Sequence, residues 1–309
     1  MQTGVAVKSK RKHGKLWRYR GLYLMMLPGF LYLLINNYLP IGGLILAFKK
    51  YDYTKGILGS PWNGLDNFKF LFSTRDAGII IRNTLGYNFI FIVTGTVFAI
   101  AVAIILNELR GRLSKKVYQT FILIPYLISM VVVSYIVFAF LSADSGFINN
   151  SILDHKINWY MQSKYWPFIL ILVNLWKTFG YNTIIYYATV IGIDSSLYEA
   201  AVVDGASRWQ RIWHVTLPGL RPTIITMTLL AVGRVFYSDF GLFFQVPMNS
   251  GLLYDVTTTI DVYVYNGLML LNDIGRSAAA GFFQSICGFL LVLTANFVVS
   301  KIDKDNALF

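Results

Sequence analysis

Apolar residues run along this chain in six long stretches, at residues 22–48, 84–106, 117–141, 167–191, 223–243 and 278–300. A helix that crosses a bilayer needs about 20 mostly apolar residues at 1.5 Å each. The pattern therefore predicts an all-α membrane protein of six transmembrane helices, with a tail at residues 1–21 followed by a transmembrane domain over 22–309. A basic region precedes the first stretch, as in a signal peptide, but the apolar run is too long and no A-x-A-like cleavage site follows it. An uncleaved span is expected there, kinked or ragged at Pro28 and Pro40, which neighbouring helices tolerate in a membrane.

The connections set the orientation. With the N-terminus in the cytoplasm, the inner segments carry seven, four, three and two Lys or Arg residues, and the outer ones six, two and one over longer stretches. The positive-inside rule then places both termini in the cytoplasm of a multi-pass cell-membrane protein. Two outer segments are more than linkers. Residues 62–72 predict a turn and a short interfacial helix with Leu65, Phe68, Leu71 and Phe72 on one face. Residues 244–277 mix threonines, aromatics and Asn266-Gly267, too polar to span and too aromatic to be disordered. No internal repeat is evident.

Composition agrees: 56% of the 309 residues are hydrophobic and 14% charged, against about a quarter charged in soluble domains. The net charge of +12 raises nucleic-acid binding as a possibility. However, much of the excess is Lys8, Lys10, Arg11, Lys12, Lys15, Arg18 and Arg20, ahead of the first span and with no soluble recognition domain behind it. That is a cytoplasmic anchor facing membrane lipid rather than a nucleic-acid arm. The single cysteine, Cys287, reads as a small hydrophobe among helices. His13, His155 and His214 are scattered, so no metal site is suggested, and Asp261 and Asp273 lie in an outer segment without an evident acid–base partner.

The stretch between the fourth and fifth spans, residues 194–218, has its own punctuation. Ser196 and Glu199 have the S-x-x-E spacing of a capping box and predict a helix start. Gly205 ends that helix, and Ser207 with Gln210 repeats the capping pattern for a second one. Leu217-Pro218 is expected to stop it. On spacing alone, this capped helix-turn-helix is either a docking element or an ordinary amphipathic loop resting on the headgroups.

Glu199-Ala200-Ala201, three residues, Gly205, nine residues, then Val215-Thr216-Leu217-Pro218 resembles the EAA loop of ABC importer permeases, E-A-A-x3-G-x9-I-x-L-P, with Val215 in place of isoleucine. Leu27-Pro28-Gly29-Phe30, Gly64-Leu65-Asp66-Asn67-Phe68 and Asn83-Thr84 are similar to the sugar-type permeases. The pattern looks like the permeases that line the sugar pocket in maltose- and glycerol-phosphate-type importers, in a branch associated with larger oligosaccharides. The resemblance implies that Glu199, Ala200, Ala201, Gly205, Leu217 and Pro218 couple the chain to an ATPase. It also implies a second permease, two ATPase copies, an extracytoplasmic solute-binding protein and a carbohydrate substrate. No G-x-x-x-x-G-K-[ST] loop occurs in the chain, so ATP and its Mg ion are expected on the partner ATPases, with no cofactor and no enzymatic activity here.

Polar residues inside spans are costly and usually face a cavity or a partner. Candidates for the substrate pathway are Asn174, Trp176, Lys177, Asn182, Tyr186 and Tyr187 in the fourth span, and Arg234, Tyr237 and Asp239 in the fifth. Aromatic faces suit sugar rings, while amides and cations suit hydroxyls and carboxylates. Each has a structural alternative: Arg234 paired with Asp239, or Lys177 bonded to backbone carbonyls. Two other functional classes stay open. A membrane enzyme acting on lipid-linked sugars would need an acidic or His-rich cluster, and a secondary transporter would show two related halves with discontinuous helices.

Overall fold

The computed structural model describes residues 19–302, so the basic cluster from Lys8 to Arg18, and Lys304, lie outside the described residues. Within them the chain is helical, with one isolated bridge between Lys49 and Trp62. Five helices are long and apolar enough to cross a membrane, and a sixth span forms only if one sharply bent pair is counted as one.

The first helical run, α1 (Arg20–Phe48), passes Pro28 without a break and changes pitch on either side of Pro40, through a wide π-turn at Leu34–Tyr38 ahead of it and a tight 3₁₀ stretch at Gly42–Phe48 after it. Widening the turn removes the clash between a proline ring and the carbonyl four residues back. Residues 19–41 of α1 are exposed throughout, and only its final turns pack, on the last helix. There Phe48 meets Phe68 and Phe282, each at 5.3 Å between ring centroids. Phe68 belongs to α2 (Asp66–Ser73), the short outer helix expected from the sequence. The expected shared stripe is corrected in part: Leu65 sits ahead of the helix, beside a left-handed turn at Gly64, and is exposed. The side chains of Leu71 and Phe72 lie outside the described residues.

Helix α3 (Arg75–Glu108) begins nine residues before the apolar run does, because Thr74 Oγ1 accepts the Ala77 N–H and caps it. The third span is the main correction. It is not one helix over 117–141 but two, α4 (Arg112–Leu127) and α5 (Met130–Leu141), meeting at 93°. Ile128 is extended and the Ser129 hydroxyl caps α5. Helix α6 (Trp166–Ile191) crosses both α3 and α4. Its approach to α4 depends on Gly180, where a Cβ would lie 1.7 Å from the Ile122 carbonyl oxygen.

After α7 (Ser195–Val203) and α8 (Arg208–Arg211), the chain does not stop at Leu217-Pro218 as expected. A π-turn at Ile212–Thr216 carries it into α9 (Leu217–Val232), and Arg208–Val232 forms one helical rod. The residue four before Pro218 is His214, inside the widened turn, so the proline ring meets no tight carbonyl. The expected fifth span at 223–243 is likewise corrected: regular helix ends at Val232, and a π-turn at Gly241–Gln245 follows an irregular stretch. Residues 244–277 fold back into the bundle through α10 (Ile260–Met269), and α11 (Ile274–Ile302) closes it. The largest core cluster joins Trp166 and Leu170 of α6 to Leu242, Phe243, Val246 and Leu253, so much of the outer segment is core.

A methyl group at Gly180 must push α4 away from α6. Gly180→Ala is expected to cost about 1–3 kcal/mol and lower the thermal unfolding midpoint in detergent. Gly281→Ala, where nothing lies within 4 Å, should leave that midpoint unchanged or raised.

Candidate functional site

Two interrupted spans meet inside the bundle. The first interruption is the α4–α5 corner. The last carbonyls of a helix lack intrahelical partners, and in α4 they receive Lys177, 9% exposed on α6. Its ammonium donates to the carbonyls of Pro125 at 3.1 Å, Tyr126 at 2.9 Å and Ile128. All three of its N–H donors are thereby used, and the negative end of the helix dipole stabilises the cation. Of the two roles raised for Lys177, its contacts are those of the structural one. The Tyr126 ring stacks on Tyr181 of α6, 4.7 Å between centroids and 14° from parallel, and both rings keep an exposed face.

The second interruption spans residues 233–240. Asn88 of α3 donates to the carbonyls of Val235 (2.9 Å) and Tyr237 (3.1 Å), and Gln284 of α11 to that of Phe236 (2.7 Å). Asp261, in α10, accepts the Ser238 N–H at 2.7 Å and the Gln284 amide at 3.1 Å. Asp261 is thus no isolated carboxylate in a loop but the acceptor that holds this break open. Exposure alternates along it: Val235, Phe236 and Ser238 turn into the chain, whereas Arg234, Tyr237 and Asp239 form the open face. Asp239 also accepts the Leu242 N–H at 3.1 Å, capping the next turn. The sequence alternative of an Arg234–Asp239 pair is not realised among the described residues, whose three salt bridges lie elsewhere.

The interruptions adjoin each other. A Cβ on Gly241 would lie 2.7 Å from Met130 at the start of α5 and 3.2 Å from Asp239 Oδ1, so the two breaks border one point. Of the other candidates, Trp176 is partly exposed and lines an apolar cleft of about 790 Å³ between α5 and α6. Asn174, Asn182 and Tyr187 are half-buried on α6. Tyr186 is corrected: it is 2% exposed and packs among Ala99, Ala103, Val190 and Leu220, with no face left for a ligand. Sequence reasoning missed Asn88, Asp261 and Gln284. Asn88 and Gln284 carried a signal, being amides within apolar runs.

The segment between α6 and α9 folds as a helical hairpin. Its first helix starts earlier than the Ser196–Glu199 spacing implied, because Asp194 Oδ1 caps it by accepting the Ser196 N–H at 2.9 Å. Those hydrogen bonds from Ser196, backbone first, hold the Asp194 carboxyl below its usual range. Gly205 takes φ +77°, with Ala206 N–H donating to Ala201 at 2.8 Å and Gly205 N–H to Val202 at 3.0 Å. That pair of bonds is a Schellman motif, which terminates helices at a left-handed glycine. The Ser207–Gln210 capping box is present. The Tyr198 hydroxyl pairs with Thr216 at 3.0 Å, fixing the hairpin to the turn ahead of α9, and Thr189 with Thr223 at 2.9 Å joins α6 to α9. Glu199 and Ala200 are exposed, and so are Leu197, Val202, Val203 (87%) and Trp209 (72%).

Comparison with known proteins gives concordant matches. The family described as binding-protein-dependent transport system inner membrane component matches residues 95–304. Protein LplB of Bacillus subtilis is 34% identical over 94% of this chain and 91% of its own. The polygalacturonan/rhamnogalacturonan transport system permease protein YteP of the same organism is 35% identical, over 97% and 94%. A chain in the crystal structure of a bacterial ABC transporter that imports the acidic polysaccharide alginate superposes with a TM-score of 0.86 at 31% identity, covering 95% of this chain and all of that one.

Replacing Lys177 by Met leaves the α4 carbonyls unpaired, and the expected cost is about 1.5–3 kcal/mol for the lost charged hydrogen bonds. It should appear as a lowered unfolding midpoint of the purified protein. Unchanged stability with impaired transport would instead assign Lys177 to the pathway.

Proposed function

The chain belongs to the family of binding-protein-dependent transport inner-membrane components, and from that premise we propose that it is one permease subunit of an ATP-driven importer of oligosaccharides. Members of this family are not enzymes; ATP is hydrolysed by separate subunits, and ATP and Mg are assigned to those partners here. Kinship with a polygalacturonan/rhamnogalacturonan transport permease, and the fold shared with an alginate importer, support a carbohydrate cargo. A second, related transporter structure holds an alginate-pentasaccharide-bound periplasmic protein, which supports an extracytoplasmic binding protein as a partner of this chain.

The observation that carries the reading is the α7–α8 hairpin. Its outer face presents Glu199, Leu197, Val202, Val203 and Trp209 with none of the described residues over them, while its inner side is tied to the start of α9 through the Tyr198–Thr216 hydroxyl pair. Apolar residues exposed on a rigid element suit a protein partner. We assign that partner as one of two ATPases. Closure of the ATPases would draw this hairpin toward its counterpart on a second permease and swing the bundle from inward- to outward-facing. The unpaired length of α1, exposed from residue 19 to 41, supports such a second permease.

Both termini and the hairpin are assigned to the cytoplasm. In a Cys287→Ser background, a cysteine at Ser114 should be shielded from an impermeant thiol reagent in intact cells, and one at Ser163 should react. The reverse pattern overturns the orientation.

Coupling is tested with Gly205→Asp and Glu199→Lys. A side chain at Gly205 is strained by about 1–2 kcal/mol in the left-handed region, and the lysine reverses the charge presented to the ATPase. Both variants should insert normally yet lose bound ATPase or binding-protein-stimulated hydrolysis in liposomes. Undiminished stimulated hydrolysis and uptake in both would remove the hairpin from the mechanism.

A further inference from the structure

The break in the fifth span holds an arginine that the fold does not use. With the hairpin in the cytoplasm, as proposed above, Arg221 is the last charged residue of α9, whose remaining length to Val232 rises about 16 Å at 1.5 Å per residue before Arg234 follows. It therefore sits within the roughly 30 Å hydrocarbon layer. Its guanidinium makes no hydrogen bond or ion pair with the described residues, although its neighbours are all engaged. An uncompensated guanidinium at that depth is not stable against lipid, so the open face of Arg234, Tyr237 and Asp239 must meet water, cargo or another subunit.

Charge counting narrows the choice. The two adjoining interruptions hold two cations, Lys177 and Arg234, and one exposed carboxylate, Asp239. Lys177 is taken up by three carbonyls, and Asp239 caps the turn at Leu242 with no ion pair among the described residues. Asp261 is occupied by Ser238 and Gln284. Two cations against one carboxylate leave one net positive charge, and the cation without a partner among the described residues is Arg234, a planar fork suited to two-point binding of a carboxylate. Close to the same corner, the stacked Tyr126 and Tyr181 rings offer apolar faces to sugar rings.

We infer that Arg234 is the specificity-determining residue that reads a sugar carboxylate, so that the pathway favours uronate-containing oligosaccharides over neutral ones of the same linkage. The inference rests on the permease reading and deepens it. A neutral sugar would leave the guanidinium desolvated without a partner, and the resulting discrimination comes from that unmet charge rather than from shape.

The test uses the complete complex in liposomes: this chain, its partner permease, the ATPases and the binding protein. The probes are oligogalacturonates and alginate oligosaccharides, each beside its carboxyl-reduced neutral counterpart. The wild type should take up the acidic series in preference. Arg234→Gln should lower acidic uptake about tenfold or more, with neutral uptake raised and subunit composition unchanged. Arg234→Lys, which keeps the charge but loses the fork, should fall between. Preference for the neutral series in the wild type overturns the inference and leaves the permease reading standing. Equal loss of both series in Arg234→Gln, or loss of a subunit from the complex, also overturns it and assigns the arginine to a contact between permeases. No uptake of any oligosaccharide by the wild type overturns both readings.

Discussion

A peptide N–H or C=O without a partner inside hydrocarbon costs several kcal/mol, and this bundle interrupts two of its spans. Each interruption exists because side chains from neighbouring helices take the place of the missing ladder. At the α4–α5 corner the substitute is the Lys177 ammonium on three carbonyls; at residues 233–240 it is Asn88, Gln284 and Asp261. The rest of the architecture follows from these bonds. Helix α6 must approach α4 closely enough for its lysine to reach, which requires Gly180, and α10 must fold back from the outside to bring Asp261 into place.

Satisfying the backbone in this way also creates the chemistry. Side chains at an interruption need not point along a helical stripe, so Arg234, Tyr237 and Asp239 can share one open face although an ideal helix would spread them. The same device turns the α4 terminus so that Tyr126 lies flat on Tyr181. The interruptions are where the bundle concentrates polar groups that its apolar spans otherwise exclude.

The sequence made the six apolar runs legible because hydrophobicity is a local property, averaged over about 20 residues. It made the hairpin legible because Gly205, Ser207 and Gln210 act within one or two turns. The 93° corner was not legible, since its cause lies outside its own run: the lysine that stabilises it comes about fifty residues later. Likewise, hydropathy continues to Phe243 although the helix ends at Val232, because Val235, Phe236 and Phe240 are apolar whether or not they are helical. Pro218 misled for a related reason. A proline stops a helix of regular pitch, and the widened turn ahead of it is a response of the backbone that no residue type announces.

That widened turn makes α8 and α9 one rod, and a rod that rocks about one of its contacts acts as a lever. The Thr189–Thr223 hydroxyl pair is a natural fulcrum. At 1.5 Å per residue, about 22 Å of rod lies between Arg208 and Thr223, and about 14 Å between Thr223 and Val232. A push on the hairpin end would then reach the inner break reduced to about two-thirds of its size and reversed in direction. The span would shift there by a fraction of the surface movement while the force it exerts grows in proportion. Such gearing suits a site whose closing has to displace bonded groups rather than travel far.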